Sequence, residues 1–106
     1  MLKKINDQML NSHKQSAPAS ASALTVSGSC MFYGITVKTD GSNDVTLSVY
    51  DSLTAAGTKL LPESIIIKGS SNLVTIFESA GLWCDNGIYV KVTCAGVVSY
   101  QIQYDN

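Results

Sequence analysis

The sequence predicts an all-β fold: an antiparallel β-sandwich, jelly-roll or Ig-like, with a short N-terminal helical or extended arm. Three observations lead there. From about Tyr33 to Asp105 the chain repeats short runs in which apolar and polar residues alternate, the period of a strand with one buried face. Gly, Asn, Asp and Ser bound these runs, and such residues tolerate positive φ or hydrogen-bond their own backbone in turns. Roughly six or seven such strands in so short a chain leave room for two packed sheets and a single domain.

Each element has its own warrant. Leu2, Ile5, Met9 and Leu10 fall near helical spacing with Lys3, Lys4, Asn6, Asp7 and Gln8 on other sides, which predicts a short amphipathic helix. A helix of about ten residues is marginal alone in water, so this one needs a surface to dock on. Residues 16–23 read Ser-Ala-Pro-Ala-Ser-Ala-Ser-Ala, with no large apolar group to bury. They read as a linker or extended arm. The chain therefore divides into an arm, residues 1–23, and a sandwich, residues 24–106.

The sandwich opens with residues 24–26 and then 31–38, where Tyr33, Ile35 and Val37 fall on one side and Thr36 and Lys38 on the other. After the turn Asp40-Gly41-Ser42-Asn43-Asp44, Val45, Leu47 and Val49 point inward, with Thr46, Ser48 and Tyr50 outward. A loop over residues 51–59 precedes Ile65-Ile66-Ile67, a triplet with no polar side, expected to be covered on both faces or to lie under a partner. The turn Gly69-Ser70-Ser71-Asn72 leads to a strand over 73–78, and a loop with Gly81, Trp83 and Cys84 reaches the tight turn Asp85-Asn86-Gly87. Ile88, Val90 and Val92 then alternate with Tyr89, Lys91 and Thr93. Val98, Tyr100, Ile102 and Tyr104 alternate with Ser99, Gln101 and Gln103. These last two strands are expected to pair as a hairpin.

Composition narrows the function. Charged residues make up only 14% of the chain, against roughly a quarter in an ordinary soluble domain, so the surface is either covered by partners or solvated by Ser and Thr. Residues 1–23 hold Lys3, Lys4 and Lys14 against Asp7, whereas residues 24–106 hold four lysines against seven acids, and there is no arginine. Without the bidentate fork that reads guanine and clamps phosphate, and with a mildly acidic body, nucleic-acid binding is not expected. No apolar stretch is long enough to span a membrane as a helix, and Met1-Leu2-Lys3-Lys4 runs into Ile5-Asn6-Asp7-Gln8 rather than into a signal-peptide core. Cys30, Cys84 and Cys94 are odd in number, so they cannot all pair within one chain. Buried thiols in a reducing cytoplasm are expected, with Cys84–Cys94 the bridge that forms if those two segments pair.

No catalytic constellation is visible. His13, the sole histidine, lies beside Lys14 in the arm, and no nucleophile has a base and an orienting group near it in the pattern. Zinc is not expected of three scattered cysteines and one remote histidine, and no cofactor is implied. Asp40, Asn43 and Asp44 offer oxygens to Ca²⁺, but the same residues are the ordinary chemistry of a tight turn, which is preferred. Trp83, Tyr89, Tyr100 and Tyr104 form either a sugar-binding aromatic platform or core and sheet-face packing. Tyr100 and Tyr104 share the inward register of Val98 and Ile102, which favours the core. Tyr50 and Tyr89 face outward and are the better contact candidates.

Residues 33–105 also resemble a family of small tailed-phage virion proteins. Tyr33-Gly34-Ile35, Val45-Thr46-Leu47-Ser48-Val49-Tyr50-Asp51-Ser52, Gly57-Thr58-Lys59-Leu60 and Asn86-Gly87-Ile88-Tyr89-Val90-Lys91-Val92-Thr93 carry the resemblance, closed by the strand ending at Tyr104-Asp105. It covers about two thirds of the chain and rests on the order and spacing of these pieces. It implies a virion component assembled in the host cytoplasm, most simply a capsid decoration or cement protein that stabilises the shell through protein–protein contacts. Its partners would be the major capsid protein or other virion proteins, and the protein would form a homo-oligomer, with a trimer at a capsid threefold as the expected form. A tail, adaptor or fibre component binding a glycan is the alternative, and a secreted cellular binding module is a third. The contact residues expected on these grounds are Leu2, Ile5, Met9 and Leu10 of the arm and Tyr50, Ile66 and Tyr89 of the sandwich.

Overall fold

The computed structural model describes residues 14–61 and 64–106, without the side chains of Glu78 and Ser79. The expected helix with Leu2, Ile5, Met9 and Leu10, and His13, lie outside the described residues. Nine strands follow: β1 (Lys14–Gln15), β2 (Ala23–Ser27), β3 (Cys30–Lys38), β4 (Val45–Asp51), β5 (Thr58–Lys59), β6 (Ile65–Ile67), β7 (Leu73–Cys84), β8 (Gly87–Cys94) and β9 (Ser99–Asp105). They form an all-β sandwich of two packed antiparallel sheets. One sheet runs β1-β9-β3-β7; the other runs β2-β8-β4-β5, with β6 also on β4.

Alternation builds the core as expected for β4, where Val45, Leu47 and Val49 are fully buried, and for β9, where Tyr100 and Ile102 are buried. Phe32, Ile35, Val37, Ile88 and Val90 complete the centre. Full burial of one such side chain is worth roughly 1.5–3 kcal/mol, so this apolar layer is the main favourable term in the fold.

The structure corrects the sequence reading of β3. Its pairing with both β7 and β9 shifts register between Phe32 and Gly34, and the bulge reverses which parity faces the core. Cys30 and Phe32 point inward before it, and Ile35 and Val37 after it, so Tyr33 does not share the face of Ile35 and Val37. Uniform alternation cannot anticipate one extra residue. The final two strands are corrected as well, because β8 lies between β2 and β4 while β9 lies between β1 and β3. They are not a hairpin. Each carries an apolar face, and the two faces meet across the core instead of side by side.

Residues assigned by composition to the arm and linker are bound to the sandwich from Lys14 onward. Lys14 and Gln15 pair with Tyr104 and Gln103, and Ala19 bridges Tyr100. Ala23 already belongs to β2, opposite Val90. Small Ala and Ser side chains allow this extended segment to lie close against a sheet edge and then cross to the other sheet.

Carboxylates secure the turns. The Asp40 carboxylate accepts hydrogen bonds from the backbone N–H of Ser42, Asn43 and Val97 and from the Asn43 side-chain amide, at 2.6–3.2 Å. These bonds, those from Asn43 foremost, hold its carboxyl well below the usual carboxylate range. Gly96 leaves room for this cluster, since a Cβ there would push on the Asp40 carboxylate and the Asn43 amide and displace their bonds. Asp44 accepts from the Gly69 N–H at 2.9 Å, which likewise lowers its pKa. Asp51 accepts from the N–H groups of Asp85 and Asn86 and so fastens the tight turn between β7 and β8.

Candidate interaction surface

The two outer edges of the four-stranded sheet are unlike. At β9 the edge is filled by the chain itself: the Ser16 N–H donates to Ile102 O at 2.9 Å, the Ile102 N–H to Ser16 Oγ at 2.8 Å, and Ala19 and Tyr100 exchange two backbone bonds at 2.8 and 3.0 Å. The Gln101 side-chain amide donates to Ser16 O, and the Tyr100 hydroxyl to Ala21 O at 2.6 Å. At β7, pairing among the described residues is with β3 alone. Its other side presents a row of backbone N–H and C=O groups that no described residue pairs, a template for another strand.

Apart from Thr75, the side chains of residues 73–77 on this open edge are apolar. Leu73 and Phe77 are exposed, at 60% and 66%, while Val74 and Ile76 face the core yet stay only half-buried because no strand lies beyond them. Residues 73–77 read Leu-Val-Thr-Ile-Phe, without a charge. Paired antiparallel with a second copy about Thr75, Leu73 would stand opposite Phe77, Val74 opposite Ile76, and Thr75 opposite itself. Every cross-strand pair is then favourable. None of these residues was expected as a contact, although the run has the same missing polar side that drew attention to the isoleucine triplet.

The expected contact residues of the sandwich all sit on the outer face of the other sheet. One cross-strand row there runs Leu24, Tyr89, Tyr50, Lys59. Tyr89 is half-buried, but Tyr50, expected outward and available, is only 8% exposed. The row explains this correction: Tyr50 is flanked on its own face by Tyr89 and Lys59, and the Lys59 ammonium stands 6.0 Å from its ring centre. Ile66 is opposite Thr46 and 65% exposed, with Ile67 buried and Ile65 between, so the triplet alternates and is not covered on both faces by the described residues.

The four aromatics weighed as a sugar platform are dispersed. Tyr100 is buried in the core, and burial pushes its phenol up to about 12. Tyr104 packs against the core beside Phe32, Tyr89 lies on the opposite sheet, and Trp83 is exposed with its indole N–H donating to Asp85 at 2.8 Å. A shallow depression lined by Thr36, Lys38, Leu73, Ser99 and Gln101 measures about 160 Å³, less than the roughly 300–1,000 Å³ of ligand pockets. Among the described residues no three His, Cys, Asp or Glu stand close enough to hold a metal, and the oxygens of Asp40 and Asp44 serve different N–H donors. The condition for a Cys84–Cys94 bridge is not met: Cys84 lies opposite Cys30 in one sheet, Cys94 opposite Val45 in the other, and all three thiols are free. No protein-family model, curated protein or solved structure matches this chain.

Proposed function

We propose that this chain is a non-enzymatic structural subunit of a tailed-phage particle, a decoration protein that stabilises the shell through contacts with the major capsid protein and with its own copies. The observation that carries this reading is the open β7 edge, uncharged from Leu73 to Phe77 and self-complementary about Thr75. A low charge content and the resemblance of residues 33–105 to small virion proteins support it further. Many weak contacts of this kind, repeated over a shell, act together through avidity.

Antiparallel pairing at β7 is isologous and makes a twofold dimer, whereas the trimer expected at a capsid threefold needs a head-to-tail surface elsewhere. Sedimentation equilibrium separates them. The wild-type chain is expected at twice its 11.3 kDa, and Thr75→Lys, which sets like charges opposite each other, at the monomer mass. Cryo-electron microscopy of the particle that contains the chain tests its place. Density on the outer capsid face supports decoration; density confined to the tail overturns it.

A further inference from the structure

Cys30 opens β3 and Cys84 closes β7, and the two are direct partners in the antiparallel register. Both face the core, at 1% and 0% exposure, close enough for each thiol to influence the other's ionisation, and the Cys84 thiol donates to Leu82 O at 3.6 Å. Directly opposed residues of an antiparallel pair have Cα atoms roughly 4.5–5.5 Å apart, inside the roughly 4.4–6.8 Å that a disulfide spans. Cys94, on the other sheet opposite Val45, is excluded from this pairing. We propose that Cys30 and Cys84 are a latent cross-strand disulfide site that closes when the protein meets a small peroxide.

The chemistry balances with hydrogen peroxide as oxidant. One thiolate attacks a peroxide oxygen, the O–O bond breaks, and a sulfenic acid forms with release of water once the leaving hydroxide takes up the thiol's proton. The second sulfur then attacks the sulfenic sulfur, the S–O bond breaks, and the departing hydroxide takes up the second thiol's proton as water. Two thiols are oxidised by two electrons, and one peroxide is reduced to two waters. Burial pushes the Cys84 thiol up to about 12 and also raises that of Cys30, so little thiolate exists in the closed sandwich. Oxidation therefore waits on opening of this end of the sheet, where the wide bulge after Phe77 separates the Cys30–Cys84 rung from the regular pairing of residues 73–77. Once formed, the bond would be buried and slow to reduce, and it would tie the open-edge strand to the centre of its sheet.

The test is peroxide treatment of the folded full chain, followed by alkylation with iodoacetamide under denaturing conditions and peptide mapping. Before oxidation all three thiols alkylate. The expected product carries one alkyl group, on Cys94, and a peptide linking Cys30 to Cys84. Its urea midpoint should lie above that of the reduced chain, because the bond restricts the unfolded state. Cys94→Ser should form the same link, and Cys84→Ser should form none. A Cys84–Cys94 or Cys30–Cys94 link, or sulfinic acid at Cys30 and Cys84 in place of the bond, would overturn the assignment.

Discussion

The β9 and β7 edges of the four-stranded sheet offer the same backbone groups to their surroundings, but the described residues cover only the first. Along β9, residues 14–19 supply donors and acceptors to Ile102 and Tyr100, and the small side chains of that segment let it lie close. Along β7, the described residues supply nothing beyond β3, and the outward side chains are Leu73 and Phe77 instead of the Lys or Pro that usually blunt an edge. An Ala/Ser-rich stretch that looks featureless in sequence is thus an edge protector. The strand that looks ordinary is the exposed one.

The largest consequence of this asymmetry is in the core beneath each edge. Ile102, fully buried between the covered edge and β3, should cost about 2–5 kcal/mol when replaced by Ala, from lost transfer energy and the cavity left behind. Ile76, half-buried beneath the open edge, should cost no more than about half as much in the monomer. Urea unfolding of both variants checks this, and equal losses would mean that the β7 edge is covered in solution.

Ser16→Ala tests the covered edge directly. The substitution removes the hydroxyl that accepts the Ile102 N–H, and an amide left unpaired there should cost about 1–3 kcal/mol. Hydrogen exchange at Ile102 should accelerate, while amides of β8 exchange as before. Uniform acceleration across both sheets would instead mean that residues 14–19 hold the whole sandwich together.

How much of this was legible depends on whether local pattern or long-range pairing decides each residue. Val45, Leu47, Val49, Tyr100 and Ile102 are legible as core because a two-residue period alone places them. The face of Tyr33 is not legible in this way, because a bulge depends on the partners of β3 on both sides. Alternation alone puts Tyr50 on the outer side, but its burial comes from Tyr89 and Lys59, which only the register brings alongside. The open edge was hidden for the same reason. Strand order determines which strand lacks a neighbour, and Leu-Val-Thr-Ile-Phe reads the same in the middle of a sheet as at its rim.

A smaller and pH-dependent effect is expected at Asp40, which secures a turn far from either edge. Its folded pKa is depressed, so its contribution is fully present above the unfolded value of about 3.9 and is lost as pH falls through the lower folded value. Thermal midpoints of the wild type should therefore fall as pH drops below about 4, and Asp40→Asn should flatten that fall and approach the wild type in acid. Asp44, shifted in the same direction, leaves the variant a residual slope. Parallel curves for the two proteins would show that the Asp40 bonds add nothing to stability.

The smallest effect on folding should separate an interaction surface from a merely exposed apolar residue. Phe77 and Ile66 are about equally exposed, at 66% and 65%, so replacing either with Ser should change monomer stability by no more than about 0.5 kcal/mol. They differ in place. Phe77 lies at the rim, where pairing about Thr75 would bring it against Leu73 of a second copy, while Ile66 stands in the short strand β6 on the outer face of the other sheet. Phe77→Ser should weaken self-association in sedimentation equilibrium, and Ile66→Ser should leave it unchanged. If Ile66→Ser is the variant that dissociates, the face carrying Tyr50 and Tyr89 is the self-contact and the β7 edge is not.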